Sequence, residues 1–264
     1  DITAEEKRDV LKTLSESRVE LQSVRSQIEL AMLSIEQIPT TGLLRQIREV
    51  VEPLQQQLPV LETIIHQAIP AAETLPTILG YPNEKTYLFL LQNNRELRPT
   101  GGFIGTYGVV KLTNGEIVQF TTDNVYNLDN PASDRITEPS PQPIAQHTST
   151  QNWLFRNINW SPDFPTTAVK AEQKYIEEGG TEQEFDGVIA VTPTFIESLL
   201  KLTCPITIDG IEFTTDNLFE TLQYQVEFGY YQEGVSDADR KEVIGKLADV
   251  LVEKIFALPK NRFA

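Results

Sequence analysis

Apolar residues recur at alternating three- and four-residue steps at Leu11, Leu14, Leu21, Val24, Ile28, Ala31, Ile35 and Ile38, with Ser17 filling the one polar step. A row with that spacing runs along one side of a helix, and it commits the start of the chain to helix before any other feature is weighed. Pro39, Thr40, Thr41 and Gly42 interrupt the row, which resumes at Leu44, Ile47, Val51, Leu54, Leu58, Leu61, Ile65, Ala68, Ala72 and Leu75. Two stripes joined by a short turn predict an N-terminal antiparallel α-helical hairpin (coiled coil) over residues 1–80. Pro53, Pro59 and Pro70 fall in the second arm, where each removes a backbone donor, so bends or breaks are expected there. At a rise of about 1.5 Å per residue an arm reaches about 40 Å. A hairpin of that reach serves as a stalk or a homo-oligomerisation surface, or it packs on its own domain.

Beyond Gly80 and Pro82 the signal changes to strands. Residues 86–92 form a short apolar run, and residues 103–112 and 116–121 flank Asn114-Gly115, a strand, turn, strand pattern. Residues 127–165 are rich in Pro, Asn, Asp and Ser with little periodicity, and read as one long loop, functional or mobile. A helix follows over 166–178, closed by Gly179 and Gly180, then a strand over 185–191 and a helix over 193–202. A strand over 205–208, a turn at Asp209-Gly210, a helix capped by Asp216, and a last helix capped by Ser236 or Asp237 complete the chain. Strands interleaved with helices make 81–264 an α/β domain, with a mixed β-sheet flanked by helices.

Composition narrows the partners. The 38 acidic and 22 basic residues give a net charge of -16, which opposes a nucleic-acid backbone and excludes nucleic acid from the reading. Cys204 stands alone, so no internal disulfide and no cysteine-based metal site is available, and a lone thiol in an apolar run reads as core. No run reaches the ~18 apolar residues that cross a bilayer. The start at Asp1 has neither an initiating Met nor a signal-peptide pattern, and reads as a trimmed segment.

Three strings carry candidate chemistry. In the first, Asn93, Asn94, Arg95 and Arg98 precede Gly101-Gly102 between two predicted strands. Guanidinium forks grip phosphate or carboxylate oxygens, and glycines let backbone N–H groups approach them. The competing reading pairs the arginines with acids such as Glu96 and uses the glycines for close strand packing. Gly101, Gly102, Gly105 and Gly108 do not fit the dinucleotide fingerprint, and no phosphate-loop lysine motif occurs. In the second string, Asp123, Asn124, Tyr126, Asn127, Asp129 and Asn130 offer oxygens to a hard cation, or simply form turns. The third gathers Trp153, Arg156, Trp160 and Asp163, where aromatic faces suit sugars or apolar chains and Arg156 suits an attached phosphate; alternatively, the indoles anchor the loop. His66 and His147 are the only histidines and no G-x-S-x-G occurs, so a hydrolytic triad is set aside.

The run around Asn93-Asn94-Arg95-Glu96-Leu97-Arg98-Pro99-Thr100-Gly101-Gly102-Phe103 resembles the hallmark of a bacterial family known only as domain of unknown function 4012. Asn159-Trp160-Ser161-Pro162-Asp163-Phe164-Pro165 and Phe185-Asp186-Gly187-Val188-Ile189-Ala190-Val191 resemble its later motifs, so the likeness covers most of 75–225. Members of that family look like membrane-anchored proteins, with a transmembrane helix before a helical region. The resemblance therefore implies an extracytoplasmic, cell-envelope protein whose anchor lies upstream of this chain.

More remotely, the order of elements resembles the LytR-CpsA-Psr phosphotransferases, which move polyprenyl-pyrophosphate-linked glycopolymers onto the cell wall using arginines and Mg²⁺-binding aspartates. That resemblance implies that Arg95, Arg98 and Arg156 neutralise a pyrophosphate while Asp123 or Asp163 holds Mg²⁺. Arg98 is followed by Pro99-Thr100 where those enzymes carry Ser-Asp-Thr, and Thr121-Thr122-Asp123 lacks the arginine of their Pro-Arg-Asp string. The expectation is a module that binds an anionic lipid-linked or glycan ligand through an Arg-rich cleft. A Mg-dependent phosphotransferase and a purely structural or assembly module are the alternatives.

Overall fold

The computed structural model of the chain describes residues 3–39, 42, 44–148, 150–203, 205–232, 234–236 and 241–256. It divides into two units: a helical one made of residues up to 85 together with 112–117, and an α/β one made of 86–111 and 118 onward. Thr40, Thr41, Cys204 and Asp237 lie outside the described residues.

The helical unit holds α1 (Ala4–Glu16), α2 (Arg18–Glu36) and α3 (Arg45–Ile78). Thr3 and Glu6 exchange hydrogen bonds with each other's backbone N–H, a capping box that starts α1. At Ser17 the first arm is interrupted, and its hydroxyl donates to the Thr13 carbonyl (2.6 Å). The two arms run antiparallel, since Gln55 Nε2 donates to the Ile35 carbonyl (3.2 Å) while Arg18 pairs with Glu73 (2.9 Å). The expected breaks do not occur: α3 continues through Pro53, Pro59, Pro70 and Pro76. The first three are exposed, so water reaches the carbonyls they leave unpaired.

The second stripe is divided. Val51 is buried and Leu58, Ile65 and Ala72 turn inward with it, whereas Ile47, Leu54, Leu61 and Leu75 are exposed. Val50, Ile64 and Ile78 widen the apolar face on the outer side, so one partner helix covers only half of it. At its end α3 is closed by Gly80 at φ +77, with Gly80 N donating to the Thr77 carbonyl and Tyr81 N to the Pro76 carbonyl. Asn114 N and Gly115 N then donate to the Gly80 and Leu79 carbonyls, which fastens the 112–117 turn to the helix end.

In the α/β unit, β1 (Lys85–Asn93), β2 (Phe103–Thr113), β3 (Glu116–Asn124) and β4 (Gly187–Val191) form one sheet in the order β3-β2-β1-β4. β1 and β4 are parallel, with Leu88 opposite Val188 and Leu90 opposite Ala190. The two-residue turn at Asn114-Gly115 makes β2 and β3 antiparallel, so the sheet is mixed, as expected.

The stretch read as one loop contains α4 (Val125–Ala132), α5 (Gln142–His147) and a 3₁₀ turn at Phe155–Asn157. These elements are too short for a periodic stripe, and each buries at most three apolar residues, among them Leu128, Ile144 and Phe155. α6 (Phe164–Glu177) follows and ends at Gly179, then α7 (Pro193–Thr203) and the β5 (Ile206–Ile208) and β6 (Ile211–Phe213) ribbon. α8 (Leu218–Tyr224) leads through a π turn at Gln225–Gly229 into α9 (Tyr230–Gln232), and α10 (Glu242–Phe256) is last. Asn217 rather than Asp216 precedes α8, and its side-chain oxygen accepts from Thr214 N (2.7 Å). One core joins Leu88, Leu90 and Ile104 of the sheet to Leu128, Phe155 and Tyr175. The other joins Leu200, Ile206, Phe213 and Leu218 to Leu247 and Leu251.

Beside the first core lies a buried pair of acids. Asp129 is 0% exposed and Glu178 4%. Asp129 Oδ2 accepts from Arg156 Nη1 (2.8 Å), and Glu178 Oε1 accepts from Phe155 N (2.7 Å). The remaining oxygens, Asp129 Oδ1 and Glu178 Oε2, are buried without a donor unless one acid is protonated. Burial first, and the neighbouring Asp129 second, push the Glu178 carboxyl up to about 9. Burial raises Asp129 as well, but only Asp129 faces a guanidinium, so the proton the pair retains belongs to Glu178.

Two outcomes follow. The folded chain binds a proton that the unfolded chain releases near the ordinary Glu value of 4.5, so stability declines as pH rises from about 5 to about 9. Glu178→Gln supplies a permanent N–H donor and flattens that decline, as urea midpoints at several pH values in this window report, whereas Asp129→Ala costs about 3–5 kcal/mol by stranding Arg156. At Gly80 an added Cβ would come 2.0 Å from the Leu112 carbonyl oxygen, while at Gly210, also at positive φ, it would meet nothing within 4 Å. Gly80→Ala therefore lowers stability by about 1–3 kcal/mol more than Gly210→Ala in the same titration.

Candidate functional site

β1 and β4 end side by side, Leu91 opposite Val191, and a cavity of about 260 Å³ opens at that end. The carboxyl ends of parallel strands are where open α/β sheets bind ligands. Leu91, Gln92 and Asn93 of β1 and Phe103, Gly105 and Thr106 of β2 form the sheet wall. The helical wall is apolar: Ile196 of α7, Phe219 and Leu222 of α8, and Ile244, Leu247 and Leu251 of α10. Charge enters through Glu96, Glu227 and Lys241. Lys241 Nζ donates to the Gly105 carbonyl and lies 5.3 Å from the centroid of the Tyr126 ring, which also lines the cavity.

The loop between β1 and β2 stands at this site and is tightly specified. Asn93 Oδ1 accepts from Arg95 N (3.1 Å), Glu96 N donates to the Asn93 carbonyl, and Phe103 N donates to the Glu96 carbonyl. A Cβ at Gly102 would sit 2.1 Å from the Asn93 carbonyl oxygen, so only glycine allows the two backbones to approach this closely. The buried Asn159 holds the same glycine, donating from Nδ2 to the Gly102 carbonyl (2.7 Å). Asn94 Nδ2 donates to Thr194 Oγ1 (2.8 Å) at the start of α7. Of the two amides expected to bind an anion, Asn93 lines the cavity and Asn94 braces the loop.

Each of the three arginines lies over an aromatic ring that lines the cavity, although none is itself part of the lining. Arg95 is stacked 3.9 Å from the Phe219 centroid and makes no ion pair among the described residues. Arg98 lies 5.4 Å from the Phe103 centroid and pairs with Glu96 (3.1 Å). Arg156 lies 5.4 Å from the Tyr126 centroid and is held by buried Asp129. An acid thus holds two of the three arginines, and all three back the aromatic wall rather than line the cavity as an Arg-rich cleft would.

The candidate metal ligands lie elsewhere. Asp123 Oδ2 accepts from the Tyr107 hydroxyl (3.2 Å), and its Oδ1 accepts from Asn124 N and Asn127 Nδ2 (2.7 Å each). Burial, and then the Asp123 charge, pushes the Tyr107 phenol well above its ordinary value, so it remains a donor to that carboxylate. Asp163 caps α6: Thr166 donates to it from Oγ1 (2.6 Å) and from N (3.0 Å), and these bonds hold its carboxyl below the usual range. Neither aspartate lines the cavity, and no group of three His, Cys, Asp or Glu side chains suited to a metal occurs among the described residues. Trp153 is anchored, donating from Nε1 to the Asn157 carbonyl (2.8 Å) with Lys170 over its ring, while Trp160 remains 40% exposed.

Sequence reasoning did not find Phe219 or Lys241, and it placed Tyr126 in the oxygen-rich string rather than in a cavity wall. For the helical wall a signal existed: Phe219, Leu222 and Val226, and Ile244, Leu247 and Leu251, recur at three- and four-residue steps. Such rows read as core, because spacing does not distinguish a stripe that meets another helix from one that lines a hollow. For Lys241 there was no signal beyond its charge.

No curated protein and no solved structure matches the chain. A family model described as "Protein of unknown function (DUF4012)" matches residues 83–226. That span contains the strands, the Gly102–Asn159 contact and the three arginines around the cavity. Since it covers more than half of the 264 residues, the chain belongs to the DUF4012 family of proteins of unknown function.

Proposed function

We propose that the α/β unit binds an amphiphile, with an apolar chain in the cavity and an anionic headgroup beside the loop that carries Arg95 and Arg98. One observation carries this reading: an apolar hollow whose aromatic walls are backed by three guanidinium groups, of which Arg95 has no carboxylate partner among the described residues. A volume of about 260 Å³ is just under the ~300 Å³ at which ligand clefts begin. It suits part of a hydrocarbon chain better than a large polar sugar. Glu96 is offset by Arg98, and Glu227 disfavours an anion at the helical wall, so the headgroup belongs at the loop. Lipid-linked carriers of the cell envelope have this chemistry, and we read the protein as an extracytoplasmic binding module with an anchor preceding this chain. No specific observation favours a Mg²⁺-dependent transferase over binding.

Calorimetry and thermal shift with dodecyl phosphate, dodecanol and inorganic phosphate test the proposal. Dodecyl phosphate binds and raises the melting temperature, dodecanol binds more weakly, and phosphate alone has little effect. Arg95→Ala weakens dodecyl phosphate by about 1.5–3 kcal/mol, the scale of one charge-assisted hydrogen bond. Equal binding of dodecanol and dodecyl phosphate, or an unchanged Arg95→Ala variant, removes the headgroup site. Failure of every amphiphile to bind removes the function.

A further inference from the structure

We infer that α3 carries a second helix-pairing row, and that its partner is the same row of a second copy of this chain, running antiparallel. Ile47, Val50, Leu54, Leu61, Ile64, Leu75 and Ile78, completed by Gln57, Ala68 and Ala71, follow three- and four-residue steps without interruption. The seven large members are 41–61% exposed. They lie beside the row of Val51, Leu58, Ile65 and Ala72 that faces the first arm, so the hairpin uses one half of the apolar face and leaves the other open. A strict 3.5-residue repeat kept over more than four heptads fits another helix, because only a helix presents holes at the same spacing.

Four features select a second copy. Pro53, Pro59, Pro70 and Pro76 all fall off the open row, so none interrupts its contact surface. Its outer flank, Gln46, Pro53, Val60, Gln67 and Thr74, is uncharged. Two chains of net charge -16 therefore meet there without local repulsion, and no flanking charge selects a different chain. On α3 four glutamates stand against Arg45 and Arg48, so the helix offers an anionic lipid surface no excess of positive charge.

The third feature is fit. Turned end for end about its midpoint, the row matches itself, with Leu54 opposite Ala71 of the partner copy, Gln57 opposite its Ala68 and Leu61 opposite its Ile64. Large then meets small, whereas a parallel pairing stacks Ala68 on Ala68 and Ala71 on Ala71 and leaves gaps. The fourth is extent: a row of about 47 Å on a helix about 10 Å wide gives a footprint of roughly 500 Å² per copy. The roughly 1,000 Å² total reaches the lower bound of a specific interface. A two-fold contact of this kind closes on itself and forms no fibre.

Sedimentation velocity on the whole chain from about 1 to about 100 µM tests the pairing, with far-UV circular dichroism to confirm that helix content is retained. The expected species is a dimer of the 29.8 kDa chain. Ile64→Glu weakens it at least tenfold without loss of helix, while Gln56→Glu, off the row, leaves it intact. Leu54→Ala and Ala71→Leu each weaken it, and the two together restore it, which parallel pairing does not predict. A wild-type chain that stays monomeric at 100 µM, or an Ile64→Glu variant that remains dimeric, overturns the inference. So does a monomer that floats with phosphatidylcholine vesicles, which would assign the row to lipid. None of these readouts depends on the ligand of the α/β unit.

Discussion

The hydrogen bond from buried Asn159 to the Gly102 carbonyl holds together the part of the molecule that concerns function. It joins the loop after β1 to the segment that leads into α6, and it acts where the Gly102 and Asn93 backbones already touch. The loop has no freedom to fold elsewhere, because its own N–H and carbonyl groups close on one another between Asn93 and Phe103. Arg95 and Arg98 project from this frame, and the cavity opens beside it because β1 and β4 end in register.

Interaction strengths decide which arginine is free to meet a ligand. Stacking on a ring is worth about 0.5–2 kcal/mol, and an exposed ion pair typically less than about 1 kcal/mol. Neither contact would hold Arg95 or Arg98 strongly against the anionic headgroup proposed above. Arg156 is different: its partner Asp129 is fully buried and already linked to the protonated Glu178, so releasing it would strand a charge. It shapes the wall through Tyr126 and holds α4 against the 3₁₀ turn.

Legibility in the sequence followed the length of each element. The 34 residues of α3 and the Asn114-Gly115 hairpin were plain, because periodicity and turn chemistry are local signals. The helices inside 127–165 were not, since α5 is six residues long and buries only Ile144, too little for a period to register. Among site residues, Asn93, Arg95 and Arg98 were recognisable as a cluster because they are neighbours in the chain. Phe219 and Lys241, more than a hundred residues away, had no local mark of the hollow they help to enclose.

By itself the sequence determined the longer helices and the main strands, the turns at Gly80, Asn114-Gly115 and Gly179, the net negative charge, and the family. These depend on backbone preference, spacing and net charge, all properties of near neighbours or of sums. Tertiary structure alone decided which half of the α3 face is covered, which carboxyl keeps its proton, and that three separate arginines back the walls of one apolar cavity. Each of those depends on which distant groups share a volume from which water is excluded, and only the packed chain sets that.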